Sequence, residues 1–195
     1  MENDGIKTKR YEYLIAARNY HYTQYNVWMA FFITISGGLF VGYYSLLGND
    51  GHSLEKGMVA LLGYIVAFLF YCSSKGYHYW ITNFATLIND YEQNTWLDKK
   101  DRVYFVIANK GSADECLNYF CPLKGANIST TKIVSLLAYL LTYAWGVLIA
   151  SSFDSNYRVL LLGILVTLIL NTLLTALLVK LLLRSSTSKH PGVKI

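Results

Sequence analysis

The stretch IVSLLAYLLTYAWGVLIAS, residues 133–151, holds no charged side chain and no proline. A helix needs about 20 predominantly apolar residues to cross a hydrocarbon core of ~30 Å, and this stretch has that length and composition. Three more stretches of the same kind occur at 25–47, 57–74 and 159–183. None has a charged residue at its centre; Lys180 lies near the end of the last. A soluble fold can bury one helix that is apolar all round. What remains of a 195-residue chain cannot cover four. The sequence therefore predicts an all-α, polytopic membrane protein with four transmembrane helices.

The charges predict its orientation. Lys7, Lys9, Arg10 and Arg18 precede the first span. Lys75, Lys99, Lys100, Arg102, Lys110, Lys124 and Lys132 lie between the second and third, and Lys180, Arg184, Lys189 and Lys194 close the chain. The two remaining linkers hold only Lys56 and Arg158 of the 17 basic residues. Basic residues stay on the cytoplasmic side, so both termini and the central segment are expected in the cytoplasm. The net charge of +5 follows that topology without a dense basic run. Anionic lipid, not nucleic acid, is the partner it suggests.

Five segments follow: a cytoplasmic N-terminal helix (1–24), a transmembrane hairpin (25–74), a cytoplasmic helical segment (75–132), a second hairpin (133–183) and a disordered polar tail (184–195). In the first, Tyr11, Leu14, Ile15, Arg18, Tyr22 and Tyr25 recur at helical spacing with no break before the span. After the second span, Trp80, Ile81, Phe84, Leu87, Ile88 and Tyr91 form another such face. An amphipathic helix must bury its apolar face. The partners expected for it are the helix of residues 7–24 and a neighbouring subunit. Residues 97–132 read as a less regular cap, with an apolar run at 103–108 and a short helix through Leu117 and Phe120 that Pro122 ends.

A few polar or small residues stand out against this background. Gly38 and Gly42, four apart beside Ser36 and Gly37, form a face on which helices approach closely in lipid, within or between subunits. Asn171 needs a partner or water for its amide; an interhelical hydrogen bond and a pore-lining position both supply one. Arg18, Asn19 and His21 share a region just before the first span. Arg18 can snorkel to lipid phosphate with His21 at the interface, or the two can form a charged pore mouth or an RNase remnant. Lys75, His78 and Trp80 cluster at the end of the second span. Tyr139, Tyr143 and Trp145 lie too deep for an aromatic belt, so their polar atoms need partners between helices.

Phosphate loops, metalloprotease pairs and nucleophile elbows are absent from the sequence. Cys116 and Cys121 without a nearby His are a weak metal signal. No cofactor, metal or enzymatic activity is expected.

The residues from Ala17-Arg18-Asn19-Tyr20-His21-Tyr22 through Trp28-Met29-Ala30-Phe31-Phe32 to Gly37-Gly38-Leu39-Phe40-Val41 carry a resemblance. They look like the small membrane accessory protein of type VI-B CRISPR loci, encoded beside an RNA-guided RNase. A broader group of small octameric bacterial membrane proteins has a similar outline. The resemblance implies a homo-oligomeric ring, an octamer, that opens a pore in the bacterial inner membrane and depolarises it to strengthen antiphage defence. It also implies a functional link to the RNase. That family has been credited with an RNase signature of Arg and His separated by four to six residues. Here Arg18 and His21 are separated by two, which departs from it. Arg18, Asn19 and His21 are the residues carried over, as pore or gating candidates together with Asn171; Gly38, Gly42, Trp80 and Phe84 are candidates for oligomer or helix packing. A membrane-tethered RNase and a non-conducting scaffold are the competing expectations.

Overall fold

A computed structural model describes residues 2–47, 53–95, 102, 129–153 and 157–179. These residues are helical apart from short connections: α1 (Glu2–Ser45), α2 (Ser53–Thr95), α3 (Thr130–Phe153) and α4 (Tyr157–Leu174), with a π-helical stretch, Thr175–Val179, continuing α4. The run at 103–108, the helix through Leu117 and Phe120, Cys116, Cys121 and the tail after Arg184 lie outside the described residues.

The chain's two prolines, Pro122 and Pro191, both fall outside these helices. Nothing therefore interrupts the backbone ladder of α1 or α2, and each runs for more than 40 residues. α1 ends in tight turns, with Leu46 N donating to Tyr43 O and Leu47 N to Tyr44 O. α2 has Glu55 in its first turn, where a carboxylate complements the helix dipole. Ser129 caps α3: its hydroxyl accepts the Lys132 N–H at 3.4 Å, and its carbonyl takes the Ile133 N–H at 3.1 Å.

α1, α2 and α3 are each long and apolar enough to cross a membrane, and 161–177 is a shorter apolar helix. The last expected span, 159–183, thus changes helix type at Thr175.

The chain forms two compact units. The first comprises Met1–Phe31 and Ser73–Leu136, the second Phe32–Cys72 and Leu137–Ile195. In the first, Tyr25, Met29, Ile88 and Thr131 are buried. The periodic face Tyr11, Leu14, Ile15, Arg18, Tyr22 and Tyr25 is its buried or half-buried side. In the second, Tyr43, Ala60, Tyr64, Ala67 and Trp145 form the core, with Phe40, Leu141, Leu148 and Leu174 packed on it. Phe40 stacks on Trp145 at 4.2 Å.

Close helix approach in the second unit occurs at unexpected glycines. A Cβ on Gly63 would run into the Trp145 ring, and one on Gly146 into Thr167. At Gly38 and Gly42 a Cβ would meet nothing within 4 Å. Among the described residues, packing within the chain therefore does not use the Gly38–Gly42 pair. Gly63→Ala should destabilise by about 1–3 kcal/mol through overpacking. Gly76→Ala, where the space is open, should be neutral or stabilise by up to ~1 kcal/mol through helix propensity. Thermal unfolding in detergent, followed by tryptophan fluorescence, compares the two.

Candidate functional site

In the first unit, α1 and α2 bring the sequence candidates into an aromatic setting. The His21 ring lies 5.0 Å from Phe84, 6.3 Å and nearly parallel to Trp80, and 6.2 Å edge-on to Tyr77. Its Nδ1 is buried without a hydrogen-bond partner. Tyr25 meets Tyr77 edge-on at 5.5 Å. Arg18 sits over the Tyr22 ring at 4.8 Å and donates to Asn19 Oδ1 at 3.1 Å. Arg18 and His21 thus share one side of α1, each with its own neighbours. Trp80 and Phe84 pack against His21.

Nearer the start of α1 is a contact that the sequence does not announce. Glu92 is fully buried and accepts the Tyr11 hydroxyl at 2.7 Å. Tyr91 donates to Lys7 O at 3.0 Å, stacks on Tyr11 at 6.4 Å, and lies under Arg10 at 5.7 Å. A buried carboxyl group is costly unless hydrogen-bonded, so Tyr11 ties α1 to α2 at this level. Between the flanking Asp90 and Gln93, Glu92 reads in sequence as a solvated position. Only its spacing from Ile88 and Phe84 hints at the inner face.

His78, expected beside Lys75 and Trp80, has a hydrogen-bond partner on α3. Its Nδ1 lies 2.7 Å from the Thr131 hydroxyl. One turn earlier on α2, Ser74 meets Ser135 at 2.7 Å. Both contacts tie α2 to α3.

The second unit contains Asn171, only 2% exposed. Tyr64 OH donates to its Oδ1 at 2.6 Å, and its Nδ2 donates to Thr142 Oγ1 at 2.6 Å. Thr142 in turn donates to Tyr139 O at 2.6 Å. The amide therefore joins α2, α3 and α4, and its oxygen and nitrogen both find partners inside the protomer. Tyr143 OH donates to Tyr139 OH at 2.7 Å. Trp145 Nε1, by contrast, is buried without a partner. At the other end of α3, Tyr43 OH donates to Leu148 O at 3.2 Å and lies 3.1 Å from Ser151 Oγ. Among the described residues no group of three His, Cys, Asp or Glu side chains comes together.

Residues 8–154 match the profile of the octameric membrane protein family (8xMP). The chain belongs to it. No curated protein and no solved structure matches the chain. As a member of the octameric membrane protein family with three long apolar helices, it is a multi-pass membrane protein.

Replacing Asn171 by Leu strands the Tyr64 hydroxyl in the core and should cost about 0.5–2 kcal/mol. Adding Tyr64→Phe removes the stranded group and should recover part of that loss. The double-mutant cycle is read from thermal unfolding midpoints.

Proposed function

We propose that this protein assembles as a membrane ring of eight copies, opens a pore between them and depolarises the cell in support of RNA-guided antiphage defence. The match to an octameric membrane family over most of the chain carries the assembly. The hydrogen bonds that Asn171 makes to Tyr64 and Thr142 within one protomer support a conduit between copies over one lined by this residue. In this reading α1 to α4 are four spans of a bacterial inner-membrane protein with both termini in the cytoplasm. The distribution of basic residues along the sequence supports that orientation: of the 17, only Lys56 and Arg158 fall in the linkers 48–56 and 152–158, and the other fifteen lie before the first span, between the second and third, or from Lys180 onward. The link to an RNA-guided RNase rests on the resemblance of residues 17–41.

Gating falls to the contacts between α1 and α2 in the first unit. His21 against Trp80 and Phe84, and Tyr11 on Glu92, hold the closed arrangement. A signal that parts them opens the ring. Each monovalent ion crossing is then driven by ~2.3 kcal/mol per 100 mV of membrane potential, so a small conductance collapses the potential.

The test is a voltage-sensitive dye in bacteria that express this protein with an RNA-guided RNase, before and after target RNA. Depolarisation should require both the protein and the target. His21→Ala should depolarise untriggered cells and shrink the triggered step, because losing ~1.4 kcal/mol of closed-state contact shifts the closed-to-open ratio about tenfold. An unchanged potential in cells with confirmed membrane insertion would defeat the pore.

A further inference from the structure

We propose that the outward face of α1 around Ile6, Tyr13, Tyr20 and Val27 is a docking surface for a second copy of this chain. These side chains are 63%, 73%, 65% and 57% exposed and recur at every seventh residue. Seven residues fall just short of two helical turns, so the four line one side of α1 with a drift of ~20° per step. The opposite side closes the first unit: Tyr25 and Met29 are buried there, and Tyr11 and His21 meet α2.

Ala16, Thr23 and Ala30, each exposed, follow Tyr13, Tyr20 and Val27 at three residues. Large side chains alternating with small ones at this period form a helix seam, in which a knob from one helix enters the gap above a small residue of another. Lipid accounts for Val27, which lies within the apolar stretch 25–47. It does not account for Ile6 and Tyr13, which stand in a segment containing Lys7, Lys9, Arg10 and Glu12. A single exposed tyrosine is ordinary. An apolar seam repeated along a charged helix marks an interaction surface.

The family's octameric assembly identifies the occupant. A closed ring requires each copy to offer its neighbours two different surfaces, and this seam is one of them. The inference rests on the assembly and not on conduction.

Cysteine labelling in native membranes tests it. Tyr13→Cys and Tyr20→Cys are treated with a maleimide beside Tyr79→Cys, an exposed position on α2, after subtraction of the wild-type signal. The assembly of each variant is checked on native gels, and Ile6→Cys replaces any variant that does not assemble. The seam positions should label roughly tenfold or more slowly than Tyr79→Cys in the assembly, and equally fast once detergent separates the copies. Equal rates in the assembled protein would overturn the proposal. So would protection that appears only with a co-expressed RNase, or a wild-type protein that is monomeric. Protection in a protein that never depolarises cells would uphold the docking surface and defeat the pore alone.

Discussion

Asn171 places a neutral amide in the mostly apolar helix α4, and α2 and α3 are positioned to satisfy it. In hydrocarbon no water competes for the amide, and each unmet polar group costs several kcal/mol. Tyr64 and Thr142 meet its two ends at 2.6 Å, which pins α2 and α3 to α4 at one register. The small residues follow from that register. Gly63 lies under Trp145, and Gly146 lies where Thr167 approaches. The same unit also holds unmet groups: Trp145 Nε1 and Ser36 Oγ are buried without partners. The stack of Trp145 on Phe40 and its contact with Gly63 offset that cost.

The first unit solves a different problem. Its helices carry charged residues, and the faces that join them are aromatic: Tyr11 with Tyr91, His21 with Trp80 and Phe84, Tyr25 with Tyr77. Such contacts are individually worth about 0.5–1.5 kcal/mol beyond area burial. Interfaces of that strength can be parted by a binding event, whereas the amide network of the second unit has no water to replace it.

Much of this was legible from the chain. Long uncharged stretches predict helices because a helix satisfies its backbone inside lipid within a single segment, and α1 to α4 fall on those stretches. The periodic face from Tyr11 to Tyr25 is the inner face of α1, because a 3.6-residue repeat encodes burial directly. Individual partners were not legible. Gly38 and Gly42 have the more familiar spacing, yet Gly63 and Gly146 are among the glycines at close approaches, because Trp145 and Thr167 happen to stand opposite them. Glu92 is buried because Tyr11, 81 positions away, reaches it. The seven-residue exposed seam of α1 was masked by the stronger inward repeat on the same helix.

The account places the conduit between copies and not inside one, so the number of copies bears on it most directly. Native mass spectrometry of the wild-type protein, released from detergent micelles or lipid nanodiscs, counts them. The account predicts one dominant species at eight times the 22.1 kDa chain mass. A protein that remains a monomer in its native lipids would contradict it.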